Sequence, residues 1–125
     1  MALYVDGYVL PIPVANKAAY LKMARKAAKV WIEHGALEVN ECMADDVKPG
    51  KLTSFPQAVK LKEGEAVWFS WIVYKSRKDR DRINALVMAD PRLAAMMDPK
   101  KPSFDGKRMF WGGFKPQVIA KAKGR

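Results

Sequence analysis

The chain has 125 residues and half of them are hydrophobic, which suits one domain with one sizeable core and argues against a disordered protein. No apolar run approaches the roughly 18 residues that a membrane helix needs, and the N-terminus lacks the pattern of a signal peptide. The net charge is +10, and the single cysteine, Cys42, excludes an internal disulfide, which agrees with a cytoplasmic location.

The positive charge is concentrated in the second half of the chain. Residues 1–74 carry nine basic and eight acidic side chains, whereas residues 75–125 carry fourteen basic and five acidic ones. Such an asymmetry can mark a surface for nucleic acid or for a membrane. Because no aromatic residues interleave with these charges to stack bases, we favour a solvated helix face followed by a basic tail. Nonspecific nucleic-acid binding is kept as an alternative, and a membrane partner is not expected.

The N-terminal segment predicts a strand. Residues Leu3–Val14 alternate in side-chain character, as a strand in a packed sheet requires. Pro11 and Pro13 lack a backbone N–H, so we do not expect a well-paired central strand beyond Leu10.

The next segment predicts a helix between Asn16 and Gly35. Asn16 is a plausible N-cap, Gly35 is the expected stop, and apolar residues recur at helical spacing between them. His34, the one histidine, lies at the end of this helix. A general base is one interpretation of His34. We favour a structural histidine whose protonated form the helix dipole stabilises.

A second strand is predicted over Ala36–Ala44. Cys42 is interpreted as a small core residue, because its neighbour Glu41 points to the opposite face and a nearby carboxylate disfavours a reactive thiolate. The connection over residues 45–65 is longer than a hairpin needs, and it contains a capped short helix that starts at Ser54. Connections of this length are usually functional, so we expect a flap over the sheet edge or over a partner.

The segment Val67–Tyr74 predicts the strand around which the fold is organised. β-Branched and aromatic residues fill seven of its eight positions, so neither side offers a polar row. A small domain with helices on one face of its sheet normally leaves the other face polar. The pattern therefore predicts that a second copy of the chain covers the second face.

The remaining elements repeat the order of strand, helix and strand. A helix is predicted after Ser76, a short helix over Pro91–Met97, a loop over Pro99–Asp105 and a last strand over Arg108–Phe114. This order predicts an α+β ferredoxin-like fold, with a four-stranded antiparallel sheet and helices on one face. We assign residues 1–114 to one domain and residues 115–125 to a basic C-terminal tail.

Small residues suggest which face of the sheet the helices cover. Four of them, one from each strand, can share one side: Gly7, Cys42, Ser70 and Gly112. This side is predicted to face the helices, together with Val5, Val9, Trp68 and Ile72. The opposite face is then apolar and aromatic with two carboxylates, and it carries Tyr4, Asp6, Tyr8, Leu37, Val39, Glu41, Met43, Phe69, Trp71, Val73, Met109, Trp111 and Gly113. Such a surface would exceed the typical exposed patch of roughly 300–600 Å², so we expect two copies to pack sheet to sheet.

A set of motifs runs in order along the chain between Tyr4 and Phe114: Glu41-Cys42 with Asp45-Asp46-Val47, Thr53-Ser54-Phe55-Pro56 with Ala58-Val59, Phe69-Ser70-Trp71-Ile72, Asp90-Pro91-Arg92, and Phe104-Asp105-Gly106-Lys107-Arg108-Met109 with Gly112-Gly113-Phe114. As a set they resemble the bacterial domain-of-unknown-function 1428 family. The resemblance implies a dimeric α+β barrel whose two sheets enclose a shared interior. It implies no established activity, and the wider superfamily is similar in fold to cofactor-free monooxygenases, muconolactone-isomerase-like enzymes and small ligand binders.

The function favoured by these features is the binding of a small apolar or aromatic molecule by a homodimer. The predicted interior is lined by five side chains: Tyr8, Phe69, Trp71, Met109 and Trp111. No cofactor or metal is expected, because the chain lacks ligand spacing for a metal and a glycine-rich phosphate loop before a helix.

An enzyme is the alternative to a binding protein. A cofactor-free monooxygenase or isomerase could use Asp6 or Glu41 as a proton-transfer base, if an aromatic interior removed the carboxylate from water. Against this, either carboxylate could pair with a cation such as Arg108 across the dimer.

Overall fold

The computed structural model describes residues 3–96, 100 and 102–124. The main elements are strand β1 (Tyr4–Pro13), helix α1 (Lys17–His34), strand β2 (Glu38–Met43), short helix α2 (Phe55–Ala58), strand β3 (Glu65–Tyr74), helices α3 (Arg77–Ala89) and α4 (Pro91–Met96), and strand β4 (Phe110–Phe114). The predicted order of elements is confirmed. The predicted helix end at Met97 and part of the predicted loop, at positions 99 and 101, lie outside the described residues.

The four strands form one antiparallel sheet in the order β2-β3-β1-β4. This order, with helices on one face, is that of the ferredoxin-like α+β fold, as the sequence predicts. β3 and β1 are the two inner strands, and they pair along their whole length, from Tyr4↔Tyr74 to Pro13↔Glu65. The apolar run of β3 thus lies on an inner strand, where one of its sides faces the helices.

Strand β1 extends beyond the point at which its prolines were expected to end good pairing. It pairs with β3 as far as Pro13, but β4 pairs only with Val5–Val9. Pro11 and Pro13 thus lie where β1 has one neighbour, and the missing N–H groups are not needed for a second ladder. The prediction that β1 loses its two-sided pairing near Leu10 is confirmed, because β4 pairs only as far as Val9. The pairing with β3 continues to Pro13, which was not predicted.

The long helices begin and end near their sequence signals. α1 ends before Gly35, whose φ of 120° is a conformation that favours glycine. α3 begins after Ser76, whose hydroxyl oxygen accepts a hydrogen bond from the Asp79 N–H at 3.1 Å. Asn16 precedes α1 as predicted, but its side chain donates to the carbonyl of Ser103 at 3.0 Å instead of capping the helix.

The main core lies between the helices and one face of the sheet. Tyr74, Ile83 and Val87 are completely buried at its centre, where β3 meets α3. A second cluster joins α1 to the sheet and consists of Leu10, Ile12, Tyr20, Ala24 and Trp68. Both clusters use the same side of the inner strands, so the long helices cover one face only.

The strand register corrects the sequence-based assignment of the two faces. Residues paired across antiparallel strands point to the same side, so Asp6 faces the helices with Ile72, and Tyr8 does so with Ser70. The helix-covered face carries Tyr4, Asp6, Tyr8, Leu10, Ile12, Val39, Glu41, Met43, Trp68, Ser70, Ile72, Tyr74, Trp111 and Gly113. The helix-facing placement is right for Trp68, Ser70 and Ile72, and it is wrong for Val5, Gly7, Val9, Cys42 and Gly112.

The error arose because small residues in this sheet do not mark helix contacts. A Cβ atom on Gly113 would collide with the ring of Tyr4 from the neighbouring strand, so the glycine that a close approach requires lies on the helix-covered face. At Gly7 and Gly112 a Cβ atom would meet nothing closer than 3.7 Å. Gly113 in β4 therefore makes room for the Tyr4 ring and not for a helix.

Candidate functional site

The second face of the sheet, which we call the open face, has none of the long helices over it in the described part of the chain. It carries Val5, Gly7, Val9, Glu38, Asn40, Cys42, Phe69, Trp71, Val73, Phe110, Gly112 and Phe114. Phe69, Phe110 and Phe114 are 43%, 47% and 65% exposed. Contiguous exposed aromatic groups of this kind mark interaction or ligand sites, so the open face is the leading candidate site.

Residues 45–64, which we call the flap, cover one end of the open face. The flap contains α2, and Ser54 caps it by accepting a hydrogen bond from the Gln57 N–H at 3.2 Å. Val59 follows α2, is 1% exposed and packs against Val9 and Val67. The connection does form a flap, but it lies over the open face of its own sheet, against the inner strands β1 and β3, and contact with a partner stays a prediction.

An apolar recess of about 230 Å³ lies where the flap meets the open face. Its walls include Cys42, Phe55, Val67 and Phe69, and Asp45 stands among them. The rings of Phe55 and Phe69 meet edge to face, with centroids 6.1 Å apart. Cys42 is exposed here, so its prediction as a core residue is wrong.

The five residues predicted to bind a ligand are divided between the two faces. Phe69 and Trp71 lie together on the open face, with ring centroids 5.5 Å apart. Tyr8 and Trp111 stack on the helix-covered face at 5.8 Å, and Met109 packs against the core cluster under α1. The structure therefore does not bring all five into one interior. Ligand binding by either pair stays a prediction.

Asp6 lies on the helix-covered face and is completely buried. Its Oδ1 accepts a hydrogen bond from Arg80 Nη1 at 2.8 Å, and its Oδ2 accepts one from Asn84 Nδ2 at 3.4 Å. Burial raises the pKa of the Asp6 carboxyl, and the Arg80 charge opposes that rise. Because both carboxylate oxygens have partners inside the fold, the geometry indicates a structural ion pair and not an accessible proton-transfer base.

The groups around Asp6 form a continuous buried network. The Arg80 guanidinium lies 5.0 Å from the centroid of the Tyr4 ring and 6.0 Å from that of Trp111. Asn84 Oδ1 accepts a hydrogen bond from the Tyr74 hydroxyl at 3.1 Å. Burial raises the pKa of Tyr74, so this hydroxyl stays a donor. Helix α3 thus supplies the polar partners that a carboxylate under a helix requires.

Glu41 also lies on the helix-covered face, but at the exposed edge strand β2. Its Oε1 accepts hydrogen bonds from the Tyr20 hydroxyl and from Ser70 Oγ, both at 2.7 Å. Burial raises the pKa of Tyr20, and the Glu41 charge adds to the rise. The prediction that Glu41 projects into a desolvated aromatic interior is wrong, because its side chain is exposed.

Arg108 is engaged within its own chain. Its guanidinium donates to both carboxylate oxygens of Glu65, at 2.7 and 2.6 Å, and its Nε donates to Asp105 at 3.0 Å. The hydrogen bonds from Arg108 lower the pKa of the Glu65 carboxyl. The prediction that one of the two carboxylates pairs with a cation is confirmed for Asp6, but the cation is Arg80 of the same chain and not Arg108.

The lone histidine belongs to a polar cluster at the end of α1. His34 Nε2 lies 2.9 Å from Asp90 Oδ2, which also accepts a hydrogen bond from Arg92. Hydrogen bonds from Arg92 and then from His34 hold the pKa of Asp90 well below its usual range. The described residues contain no group of three or more histidine, cysteine, aspartate or glutamate side chains that could hold a metal ion.

Part of the basic charge in the described residues is paired with neighbouring carboxylates. Near the start of α3, Arg77 lies 3.9 Å from Asp81, and Arg82 lies 3.4 Å from Asp79. Elsewhere, a groove of about 650 Å³ between α1 and α4 has lysines at its edge: Lys22, Lys26 and Lys29. Nonspecific nucleic-acid binding stays a prediction.

Sequence reasoning missed that Phe110 and Phe114 share the open face with Phe69, and that Phe55 packs against Phe69. A signal for the correct face was present in β1. Had the alternation been continued through the prolines, Ile12 would have joined the side of Tyr4 and Leu10 and made that side the bulkier one.

The fold and the site define a ferredoxin-like α+β domain whose sheet has one helix-covered face and one apolar open face. Residues 3–106 match the sequence profile of the family described as "Protein of unknown function (DUF1428)". The chain belongs to this family, and the resemblance drawn from the motifs is confirmed. None of the helices in the described ranges is both long and apolar enough to cross a membrane.

The relatives that share half of their aligned residues with this chain are described as uncharacterised proteins. The chain is 50% identical over 111 residues to the uncharacterized protein YbaA of Escherichia coli strain K12, and the match covers 89% of this chain and 93% of that protein. The same values hold for YbaA of Shigella flexneri. These relatives confirm the family and add no activity.

Solved structures share the fold at low sequence identity. A NIPSNAP-like domain protein from Burkholderia xenovorans has a TM-score of 0.59 at 11% identity and covers 96% of this chain and 90% of its own. A dimeric ferredoxin-like protein from an uncultured marine organism has a TM-score of 0.56 at 10% identity, with coverages of 98% and 100%. At these identities the likeness shows the fold alone.

Proposed function

We propose that this protein is a cytoplasmic homodimer that packs open face to open face and binds a small apolar or aromatic molecule between the two sheets. The observation that carries the proposal is the open face itself, where Phe69, Phe110 and Phe114 expose 43–65% of their surface beside Trp71. A face of this composition without a long helix over it requires a cover of similar chemistry.

A second copy of the chain is the cover that the energetics favour. A standard interface removes about 800 Å² from water on each partner. At about 25 cal/mol per Å², a face of this composition would gain about 20 kcal/mol per copy, against roughly 4–15 kcal/mol for association. A solved protein of the same fold is described as dimeric, which supports the same arrangement for this chain.

The chemistry of the enclosed space favours an uncharged ligand. Trp71 and Phe69 lie near the middle of the open face. Of its polar groups, Glu38 and Asn40 lie on the edge strand β2, and Glu65, at the start of β3, is paired with Arg108. Ligand sites are mostly apolar with a few polar groups that fix orientation. Two facing sheets would place both copies of Phe69 and Trp71 around a flat apolar molecule.

Sedimentation velocity at about 1–50 µM tests the dimer. We expect the wild-type chain to sediment as a dimer and Phe110→Arg to weaken dimerisation at least 100-fold, because the arginine would lose its hydration in the interface. Met88→Arg is the matched control, since Met88 is exposed on α3 and lies outside the open face. A wild-type monomer at 50 µM would refute the proposal.

Tryptophan fluorescence tests the ligand site with 1-naphthol as the probe. We expect saturable quenching in the wild type and in Trp111→Phe, and its loss in Trp71→Phe, because only Trp71 lies on the open face. Equal quenching in all three proteins, or a linear response without saturation, would contradict a site between the sheets.

A further inference from the structure

We infer that the C-terminal segment of one copy, residues 115–124, docks in the apolar recess of its partner. The inference rests on the homodimer proposed above and identifies what closes the edge of its interior. Three features carry it: the exposed apolar pair in the segment, the composition of the recess, and the direction in which β4 leaves the sheet.

The C-terminal segment exposes two adjacent apolar side chains, of which its own chain leaves Val118 largely uncovered and Ile119 partly covered. It follows β4 without a helix or strand, and Val118 and Ile119 are 86% and 42% exposed. Its charged residues in the described range are all basic: Lys115, Lys121 and Lys123. An extended segment that combines adjacent branched aliphatic residues with flanking lysines suits an apolar pocket with acidic groups at its edge.

The recess beside the flap is an apolar pocket with an acidic group at its edge. Its volume of about 230 Å³ is below the roughly 300–1,000 Å³ of pockets that hold drug-sized ligands, and it suits one or two aliphatic side chains. Cys42, Phe55 and Phe69 form apolar walls. Asp45 lines the recess and is exposed, and the next residue, Asp46, is also exposed. The lysines of the C-terminal segment complement these two carboxylates.

The recess of the same chain is out of reach for Val118. Phe110 pairs with Val9, which pairs with Phe69 at the recess, whereas Phe114 pairs with Val5 four residues further along. With strands about 4.8 Å apart and about 3.4 Å per residue, Phe114 lies about 17 Å from Phe69. The chain beyond Phe114 points away from the recess, and four residues span at most about 14 Å even when extended.

In a dimer, the recess of the partner is within reach of the C-terminal segment. A two-fold axis that runs between the sheets and across the strands turns the partner end for end. The flap end of one sheet then lies opposite the end at which β4 of the other copy stops. The sideways distance from β4 to the far strands is about 10–14 Å, which residues 115–119 can span. Each segment would bury its apolar pair and the partner's Cys42 at once.

A cross-linking experiment tests this contact, because Cys42 is the only cysteine of the chain. In full-length Val118→Cys, mild oxidation should join the introduced cysteine to Cys42 of the partner and produce a covalent dimer on a non-reducing gel. Peptide mass mapping should identify this linkage. Leu52→Cys, which replaces a side chain that is 95% exposed on the flap, is the control and should not cross-link to Cys42 of the partner.

The outcomes separate this inference from the dimer itself. A sedimenting dimer without the linkage between positions 42 and 118 would overturn the docked segment and leave the dimer proposal intact. A disulfide within one chain, seen as a monomer that is 2 Da lighter, would overturn the geometry given above. A wild-type monomer would overturn both proposals.

The reactivity of Cys42 toward a thiol reagent gives a second measurement without an added cysteine. In the wild-type dimer we expect slow modification of Cys42. The double variant Val118→Asp/Ile119→Asp should react at least ten-fold faster while still sedimenting as a dimer, because the carboxylates cannot enter an apolar recess beside Asp45. Equal rates in the two proteins would count against the docked segment.

Discussion

The two faces of the sheet carry similar amounts of aromatic side chain, yet they differ in what their polar groups contact. On the helix-covered face, Asp6 and Glu41 are held by Arg80 of α3 and by Tyr20 of α1. On the open face the apolar residues dominate, and the carboxylate of Glu38 lies on the edge strand. Hydrophobicity alone therefore does not identify the face that helices cover. The helix-covered face is the one whose buried polar groups find partners on the helices.

The first and largest expected difference contrasts two tryptophans of β3. Trp68 is 3% exposed under α1, so Trp68→Ala should lower the free energy of unfolding by about 4 kcal/mol at any protein concentration. Trp71→Ala on the open face should cost less in dilute solution, and its cost should grow with concentration as the dimer forms. Urea unfolding at about 1 and 50 µM measures both. If both variants lost the same free energy of unfolding at both protein concentrations, the open face would not be buried by dimerisation.

A second test removes the negative charge of Asp6, which is buried on the helix-covered face. Asp6→Asn leaves the Arg80 guanidinium buried without its carboxylate, and we expect a loss of about 3 kcal/mol in the free energy of unfolding. Asp46→Asn is the matched control, because Asp46 is exposed and lies away from Arg80, so the change should alter stability by less than about 0.5 kcal/mol. A small effect of Asp6→Asn would mean that Arg80 finds another partner.

A third test concerns the part of the open face that the flap covers. Val59→Ala should lower the free energy of unfolding by about 2 kcal/mol, because Val59 is 1% exposed against Val9 and Val67. Val14→Ala replaces the same residue type at 51% exposure and should have little effect. If the flap opens independently, Val59→Ala will instead increase hydrogen exchange in residues 45–64 without changing global unfolding.

The smallest expected effect is the pH dependence of the ion pair between Glu65, the first residue of β3, and Arg108, which precedes β4. Arg108 lowers the folded-state pKa of Glu65 below its unfolded value. The stability from this pair is thus fully present above the unfolded pKa and is lost as the pH falls through the folded pKa. Glu65→Gln should remove about 1 kcal/mol above pH 5 and flatten the loss of stability between about pH 5 and pH 3. Thermal unfolding of the wild type and of Glu65→Gln, measured across this pH range, tests the prediction. Glu63→Gln is the control for the change in net charge.

Much of the fold could be predicted from local patterns, because these patterns act over a few residues. Ser76 and Ser54 mark the helix starts that they cap, and Gly35 marks the end of α1. The apolar run of β3 predicted an inner strand, and the order of elements predicted the ferredoxin-like sheet. The candidate site was predicted in part, since Phe69 and Trp71 do lie on the open face.

The rest depended on the alignment of one strand against another. A shift of one residue moves every side chain of a strand to the other face, and the phase of β1 relative to β3 was assigned from small residues that serve other contacts. Tyr8, Trp111 and Asp6 were therefore placed on the wrong face. The cation beside Asp6 lies 74 positions away in the sequence, so no local pattern could identify Arg80 as its partner.

The sequence by itself determined the elements, their order and the presence of two apolar faces, because capping, periodicity and turn chemistry are local properties of the chain. Only the tertiary structure decided which face the helices cover, where the flap lies and which carboxylates are paired. These features follow from strand register and from contacts between residues far apart in the chain, and the free energy that selects them is released only when all four strands and both long helices are in place.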